Sequence, residues 1–482
     1  MRQNIPGNAI VARIVPTSIA DGLFRKNKYL FFAAAIQNQN RLDEFECLRS
    51  AFVRQSMKEF DAIVVGGGPA GAGFAIGLAR EGLAVALLDR ARFPRDKACG
   101  EFLTPKACEL LNDLGAWEEV KKAGANPVRH TLLYGRDGNS ARHTPPSGSP
   151  VGYGMRRITL DALLLNQARR AGVLVRENFA VRGLLRKDDA ENGAICGVTG
   201  KNEQNETETI TAPLVIGADG SHSLVARHLH LVRPIERLQR VAVVSHWQNV
   251  SGDCDTIEMR ASGPIVSGLG FPGPDGSANL TFVLPTALAS RLAGRAPEFI
   301  VEMLEVHFPD LAQRLSGAEM EPKIKTVGCF GHRCKPAIAD GVMLIGDAAT
   351  FIDPFTGEGV YFALRGASLA AEVAAKALKS GKVSQNALRD YPRHRRELTR
   401  RYLLLDVIQN VVRTPAVFSQ VVARLAARPA AADHLLTILG DMRPPTDALH
   451  PAFLWRLLAP VLSEFSGGTG CFQHPGNSGD AR

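Results

Sequence analysis

The sequence lacks any hydrophobic run near its N-terminus that is long enough to span a membrane. Its longest apolar stretch in that region, residues 29–36, is far shorter than the roughly 20 residues that cross a bilayer. No pattern of small residues follows closely to mark a cleavage site, so we predict no signal peptide. These absences favour a cytoplasmic protein.

Cysteine is sparse and follows no metal-binding spacing. The sequence has eight cysteines, and neither of the closest pairs, Cys99 with Cys108 or Cys329 with Cys334, has a second pair to match it. We therefore expect reduced cysteines and no metal site. The sequence also lacks a basic stripe interleaved with aromatics, which argues against a nucleic-acid partner.

The net charge of the 482 residues is +9, and part of it comes from the N-terminal segment. Residues 1–56 carry eight Lys and Arg against four acids and show no sustained periodicity. We expect them to form a poorly structured extension. The mildly basic remainder suits an anionic cofactor, an anionic reductant or an anionic membrane surface.

A glycine-rich turn lies between two short apolar runs, residues 61–65 and 84–88. Strand, helix and strand within about thirty residues form a βαβ unit. Within it, Gly66 permits a tight turn, Gly68 lets a pyrophosphate approach the backbone, and Gly71 lets the helix pack on the strand. Asp89 follows the second strand and is expected to bind ribose hydroxyls. The predicted contacts here are Gly66, Gly68, Pro69, Ala70, Gly71, Asp89 and Arg90.

A second G-x-G-x-x-G match occurs at residues 268–273, but a Pro-Asp-Gly turn follows it instead of a helix. We therefore predict nucleotide binding only at the first match. That unit alone does not distinguish FAD from NAD.

Two segments further along the chain distinguish FAD from NAD. Residues 217–227 are GADGSHSLVAR, and residues 346–359 are GDAATFIDPFTGEG. Together with the glycine turn, and in this order, they resemble the para-hydroxybenzoate hydroxylase superfamily of flavoproteins, with the geranylgeranyl reductase-like branch most similar. The resemblance covers about residues 60–458. It implies an FAD-dependent oxidoreductase, with NAD(P)H as a possible transient reductant because no second dinucleotide fold is present.

The resemblance also assigns roles to individual residues. Asp347 is expected to bind the ribityl chain, and backbone N–H groups of the segment 357–359 are expected to face the flavin. Asp219 and Gly220 match a motif linked to FAD and pyridine nucleotide, with an ordinary strand-end turn as the alternative. The further implied cofactor contacts are Gly346, Asp347, Pro354, Gly357, Glu358 and Gly359.

The segment RDKACGEFLTP, residues 95–105, is similar to one beside the flavin in the reductase branch. Arg95 and Lys97 would neutralise phosphate or attract an anionic reductant. Cys99 is either a residue at the flavin or buried packing. Arg156 or Arg157 matches a cofactor-contacting arginine, with a solvated helix start as the alternative. We predict cofactor contacts at Arg95, Cys99, Gly100 and Arg157, and catalytic roles at Cys99, Gly357 and Gly359.

One departure concerns the Tyr-x-Trp-x-Phe-Pro segment of the reductase branch. The corresponding residues 267–272 are SGLGFP, so both larger aromatics are absent. We therefore expect a substrate cavity of altered shape, which puts a polyprenyl substrate in doubt. The absence of tryptophan from this segment also argues against halogenation.

The fold class predicted is α/β: a Rossmann-type FAD-binding domain, an inserted antiparallel-sheet substrate domain and C-terminal helices. The expected segments are a discontinuous FAD-binding domain at 57–235 and 326–385, a sheet domain at 236–325, C-terminal helices at 386–465 and a disordered tail at 466–482.

Three functions remain open from the sequence. The first is reduction or dehydrogenation of a hydrophobic small molecule. The second is hydroxylation of an aromatic or polyketide, and the third is non-enzymatic electron transfer or redox sensing. Six arginines in residues 388–401, followed by an apolar run at 402–412, indicate either peripheral contact with the inner membrane face or a solvated helix face.

Overall fold

The computed structural model describes residues 60–135, 138–145, 148–190, 193–352, 357–440 and 442–458. The predicted N-terminal extension, the predicted disordered tail and Pro354 lie outside these residues. No helix in the described ranges is long and apolar enough to cross a bilayer.

A six-stranded sheet carries the glycine turn. Its neighbours are parallel except for an antiparallel edge pair. Its inner strands are fully buried, as the continuous apolar runs predict. In spatial order the strands are Ile338–Ala339, Val342–Leu344, Leu214–Gly217, Ala62–Val65, Val85–Leu88 and Leu174–Arg176.

Helices follow and cover this sheet and a second, larger one. In chain order they are α1 (Pro69–Arg80), α2 (Pro105–Asp113), α3 (Trp117–Lys122), α4 (Arg157–Arg170), α5 (Leu224–His228), α6 (Thr286–Ala289), α7 (Ala296–His307), α8 (Pro309–Arg314), α9 (Gly359–Lys379), α10 (Asp390–His394), α11 (Arg396–Val412), α12 (Pro415–Ala426), α13 (Pro429–Leu439) and α14 (Pro451–Leu458).

The larger sheet forms the second layer. Its strands, in spatial order, are Glu319–Met320, Arg240–Gln248, Ala278–Pro285, Ile265–Gly270, Thr256–Ser262, His130–Tyr134 and Ser140–His143, and Lys325–Phe330 also pairs with Arg240–Gln248. The expectation of a sheet confined to 236–325 is incomplete, because two strands come from residues 130–143. Most neighbouring strands of this sheet pair in antiparallel fashion, as the sequence predicts. The added strand His130–Tyr134 pairs in parallel with Thr256–Ser262. Pairing between strands more than a hundred residues apart leaves no local sequence signal.

Three small three-stranded sheets complete the β structure of the described residues. Their strands are Ala180–Arg186 with Ile195–Lys201 and Thr207–Thr211; Val232–Pro234 with His332–Cys334 and Thr350–Phe351; and Phe102–Leu103 with Gly152–Gly154 and Asn126–Val128.

Three apolar cores hold the layers together. The first surrounds the six-stranded sheet, where α9 packs on α1. The second fills the space between one face of the larger sheet and helices α7 and α8. The third lies on the opposite face, where Phe418 and Val422 of α12 and Leu436 of α13 meet strand residues such as Met259 and Val283. The C-terminal helices therefore cover the same sheet face that borders the candidate site.

Candidate active site

The glycine turn fits a pyrophosphate because of what surrounds each glycine. Gly66 has a φ of +108°, and a Cβ there would lie 2.4 Å from the carbonyl oxygen of Ala218. A Cβ on Gly71 would lie 1.9 Å from the oxygen of Gly66. At Gly68 the nearest atom would be Arg95 Nη2 at 3.7 Å, so this side of the turn is open. The open side adjoins the N-terminus of α1, where free N–H groups favour an anion.

Asp89 fixes the turn from the neighbouring strand. Its Oδ2 accepts the Gly67 N–H at 2.7 Å and its Oδ1 accepts the Ala91 N–H at 2.8 Å. The residue is buried, whereas Arg90 beside it is exposed. Asp89 therefore has a structural role in holding the turn, and its contact with ribose stays a prediction.

A cleft of about 1230 Å³, including space open to solvent, lies in front of the glycine turn. It brings together residues from distant parts of the chain. The predicted contacts that line it are Gly68, Pro69, Ala70, Cys99, Gly100, Arg157, Gly220, Asp347, Gly357, Glu358 and Gly359. Of the other predicted contacts within the described ranges, Gly66, Gly71, Asp89, Arg90, Arg95, Asp219 and Gly346 do not line it.

Lys97, Gly220 and Asp347 meet at one wall of this cleft. Lys97 Nζ lies 3.7 Å from Asp347 Oδ2, and a Cβ on Gly220 would lie 3.5 Å from the same Nζ. Both charged side chains are partly exposed to the cleft. The lysine is thus placed to bind an anionic group and the aspartate to accept from hydroxyls.

Asp219 itself points away from this wall. Its Oδ2 accepts the Leu224 N–H at 2.6 Å at the start of α5. Its Oδ1 is buried and has no hydrogen-bond partner in the part of the chain that the structure describes. Burial raises the pKa of this carboxyl. The geometry favours the strand-end alternative for Asp219, while Gly220 lines the cleft.

The N-terminus of α9 forms the opposite wall. Gly357 has a φ of +73° and lies against the ring of Phe102. Glu358 caps the helix, is buried and lies 3.5 Å from Nη1 of the buried Arg401. The partial positive charge of a 21-residue helix is directed into the cleft. That field suits the negative charge of a reduced flavin.

Arg157, not Arg156, lines the cleft. Its Nε and Nη2 donate to the two oxygens of Asp161 at 2.8 Å each, and Arg95 Nη1 donates to the same carboxylate at 2.9 Å. Burial works to lower the pKa of Arg157, but Asp161 and Cys99 together outweigh it and the pKa is raised. Arg156 instead pairs with Glu321 at 3.1 Å. The position in the cleft favours Arg157 over Arg156, and its contact with the cofactor stays a prediction.

A buried polar network behind the cleft was not predicted as such. Glu101 Oε2 lies 2.7 Å from His246 Nε2 and 3.0 Å from Asn279 Nδ2. Lys325 Nζ lies 3.3 Å from His246 Nδ1 and 2.6 Å from Asp96 Oδ2. His246 is wholly buried and Glu101 nearly so. A histidine inside the apolar strand Arg240–Gln248 was the one sequence signal that could have found it.

The network has a defined direction of hydrogen bonding. An ammonium at Lys325 can only donate, so His246 Nδ1 accepts and its Nε2–H donates to Glu101. Burial works to raise the pKa of Asp96, but Lys325 holds it below its ordinary value. Glu101 lines the cleft. The arrangement connects a cleft-lining carboxyl to a buried ion pair.

An apolar cavity of about 950 Å³, including space open to solvent, adjoins the cleft. The two share Gly100, Phe102, Thr281 and Gly357 as lining residues. Apolar side chains from the larger sheet and from the C-terminal segment dominate its walls, namely Ile257, Met259, Val266, Val283, Leu436, Leu439 and Met442. The contribution of the C-terminal helices was not predicted, because no local pattern shows which sheet face a helix covers.

The segment expected over the substrate does border this cavity, with a correction to its side chains. Ser267 pairs with Phe282 and Leu269 pairs with Leu280, and both partners belong to the core under α7 and α8. Since paired residues share a sheet face, Gly268 faces the cavity. The missing aromatics at 267 and 269 therefore do not by themselves enlarge it.

FAD fits this site on the evidence of the open Gly68 face, the cleft and the helix N-termini. Bound there, it would supply a two-electron carrier. Gly68 and α1 would hold the pyrophosphate, Lys97 and Asp347 would bind polar groups, and Arg157 would provide a fixed positive charge.

Comparison with known proteins agrees with this geometry. Residues 59–404 match the model of the FAD binding domain family. A digeranylgeranylglycerophospholipid reductase of Methanococcoides burtonii is 30% identical over 69% of this chain and 78% of its own length. A menaquinone reductase of Mycobacterium tuberculosis is 29% identical over 65% of this chain and 76% of its own. A tryptophan 2-halogenase of Chondromyces crocatus is 28% identical over 68% and 63%, respectively.

Solved structures show the same fold. A geranylgeranyl bacteriochlorophyll reductase-like protein of Thermoplasma acidophilum has a TM-score of 0.67 and 23% identity, covering 82% of this chain and 98% of that one. A flavin-dependent brominase has a TM-score of 0.69 and 23% identity, covering 80% and 94%. The resemblance to the para-hydroxybenzoate hydroxylase superfamily and the predicted Rossmann-type fold are confirmed. The chain belongs to the FAD binding domain family and is a flavin-dependent enzyme.

Proposed function

We propose that this protein uses FAD to reduce an unsaturated, largely apolar small molecule. The observation that carries the proposal is the apolar cavity that shares Gly100, Phe102, Thr281 and Gly357 with the cofactor cleft. An apolar substrate gains free energy from leaving water for such walls. The shared lining would bring its reacting bond next to the cofactor.

The names of similar proteins support a substrate of this class. One of the relatives is a reductase of a geranylgeranyl lipid and another is a reductase of menaquinone. Both names describe reduction of a hydrophobic molecule. A substrate of this class would suit the apolar walls of this cavity.

The buried network would serve proton transfer during reduction. Reduction of a double bond by a hydride also requires one proton. Glu101 lines the cleft and is linked through His246 to Lys325 and Asp96. A proton could pass from Lys325 to His246 Nδ1 while the Nε2 proton moves to Glu101.

NAD(P)H or a carrier protein would restore the reduced cofactor. The described residues contain a single six-stranded sheet with a glycine turn, so a nicotinamide would bind transiently near Lys97. Lys97 is partly exposed and cationic, which suits an anionic donor.

The test uses the purified holoenzyme under anaerobic conditions. NADPH and NADH are each added and flavin bleaching is followed, and then menadione or a geranylgeranyl lipid is added. The proposal predicts reoxidation of the flavin together with a reduced product. A reduced flavin that no unsaturated substrate reoxidises would overturn it.

Oxygen-dependent chemistry is a second candidate, favoured by the halogenase and brominase relatives. In that case the reduced enzyme would need oxygen for turnover. Incorporation of labelled oxygen, or of bromide supplied in the buffer, into an aromatic substrate would establish it.

A further inference from the structure

His143 and Asp433 form a pair at the wall of the apolar cavity. His143 lies on the edge strand Ser140–His143 of the larger sheet, is 2% exposed and lines the cavity. Asp433 lies on α13, and its Oδ1 is 2.6 Å from His143 Nδ1. The other ring nitrogen, Nε2, is buried and none of the described residues gives it a hydrogen-bond partner.

The aspartate determines which nitrogen carries the proton. A carboxylate can only accept, so Nδ1–H donates to Asp433 and Nε2 of the neutral ring carries a lone pair. A buried polar atom without a partner costs free energy. Nε2 is therefore a site for a hydrogen-bond donor that comes from the occupant of the cavity.

The sheet register places this nitrogen far from the cofactor cleft. His143 pairs with Thr131, which pairs with Ile257. A Cβ on Gly270 would lie 3.9 Å from Ile257 Cγ1, and Gly270 pairs with Asn279. All five residues line the cavity. With strands about 4.8 Å apart, the four steps along this row span about 19 Å.

Asn279 marks the cofactor end of that row. Its Nδ2 donates to the carbonyl oxygen of Cys99 at 2.9 Å, and Cys99 lines the cofactor cleft. The side chains between the two ends are Thr131 and Ile257. The cavity is thus an elongated apolar slot with the cofactor cleft at one end and the His143 ring at the other.

We propose that His143 Nε2 accepts a hydrogen bond from a hydroxyl group at the far end of an elongated, otherwise apolar substrate. The inference rests on the proposed function only in treating the occupant of this cavity as the substrate. A pure hydrocarbon would leave Nε2 without a partner. A carboxylate would bring a second negative charge close to Asp433 in an apolar surrounding. A neutral hydroxyl satisfies the nitrogen and adds no charge.

The test measures binding to the oxidised holoenzyme, without turnover. The probes are dodecan-1-ol, its methyl ether and dodecanoate, and the readout is the dissociation constant from the change in flavin absorbance. Wild type should bind the alcohol about five- to tenfold more tightly than the ether, since only the alcohol can donate to Nε2. Absence of this preference, or tighter binding of dodecanoate, would overturn the proposal.

Variants separate hydroxyl recognition from a purely structural link between strand and helix. His143→Phe should remove the preference for the alcohol while the affinity for the ether is retained. Asp433→Asn should reduce the preference, because Nδ1–H is no longer fixed. His228→Phe, at an exposed position on α5, is the matched control and should leave the preference unchanged.

The outcomes remain distinct from those of the proposed function. If folded His143→Phe keeps the wild-type preference, the pair only joins the strand to α13. If His143→Phe loses FAD or has a lowered melting temperature, Asp433→Asn and His143→Gln are used instead. The affinity for the alcohol relative to the ether is then measured in these two variants. An enzyme that binds the alcohol through His143 yet fails in anaerobic reduction would reject the proposed function and leave this subsite standing.

Discussion

At the residue scale, Gly68 and Gly71 occupy one turn but meet different surroundings. Gly68 has extended backbone angles, and a side chain there would face open space beside Arg95. Gly71 lies against the oxygen of Gly66. We therefore propose that the cofactor requires the first glycine, whereas the fold itself requires the second.

Substitution of the two glycines should affect different properties, FAD binding for Gly68 and stability of the apoprotein for Gly71. Gly68→Val should abolish FAD binding, because the side chain occupies the approach of the pyrophosphate, and should leave the melting temperature of the apoprotein unchanged. Gly71→Ala should destabilise the apoprotein by about 1–3 kcal/mol through overpacking. Flavin content and thermal unfolding check both. Full FAD occupancy in Gly68→Val would reject the nucleotide assignment.

Cys99 and Cys108 differ in their surroundings. Cys99 lines the cleft, and its Sγ accepts the Glu101 N–H at 3.3 Å. Cys108 is buried on α2, and burial raises the pKa of its thiol to about 12. We predict that Cys99→Ser lowers turnover while FAD occupancy stays near wild type.

Cys108→Ser is the matched control for that change. It should lower the melting temperature, because a hydroxyl replaces a buried thiol, without a specific loss of turnover. Steady-state kinetics and flavin absorbance of both variants give the comparison. Unaltered turnover in Cys99→Ser would assign that residue to packing.

Lys325 and Asp96 carry a pH-dependent contribution to stability. Lys325 holds the pKa of Asp96 below its ordinary value of 3.8. A depressed carboxyl pKa contributes stability above the unfolded value, and this is lost as pH falls through the folded pKa. Lys325→Met should therefore destabilise fully at neutral pH, and the difference from wild type should narrow as the pH falls below 3.8. Melting curves across this range test it, and a constant difference would contradict it.

At the element scale, α11 carries the apolar stretch that indicated membrane contact, together with three of the six arginines, Arg396, Arg400 and Arg401. The helix buries Leu398, Arg401 and Tyr402, whereas Leu403 and Val407 are 54% and 60% exposed. These two residues lie one turn apart on the same side of the helix. Membrane contact stays a proposal, with an ordinary solvated face as its alternative.

Liposome binding distinguishes these interpretations of α11. If the helix touches membrane, the protein should sediment with anionic vesicles at low salt, and Leu403→Glu with Val407→Glu should abolish this. Changing the exposed Val306 of α7 to Glu serves as the control. No sedimentation of wild type would leave only the solvated face.

Elements with a local signature could be predicted from the sequence. The strand, glycine turn and helix at residues 61–80 follow from residues that are neighbours in the chain. Glu101 and His246 lie 145 residues apart, and the pairing of His130–Tyr134 with Thr256–Ser262 spans a similar distance. Such contacts depend on the assembled sheet, so the buried network and the full cavity could not be predicted.

At the scale of the whole molecule, the two layers meet where the cofactor cleft adjoins the apolar cavity. The six-stranded sheet supplies the glycine turn, and the larger sheet with α13 supplies the cavity walls. Gly268 is a position at which a substitution would place a side chain in the cavity. It faces the cavity, and a Cβ there would have no protein atom within 4 Å.

The measurement that tests the account most directly is anaerobic reoxidation of the reduced holoenzyme by a hydrophobic unsaturated substrate in Gly268→Trp. The indole should fill the cavity and leave the cleft intact. We predict normal FAD content, a normal melting temperature and normal reduction by the donor, but loss of reoxidation by substrate. Gly317→Trp, at an exposed glycine with open surroundings, should behave as wild type. Wild-type reoxidation in folded Gly268→Trp would contradict the assignment of the cavity as the substrate site.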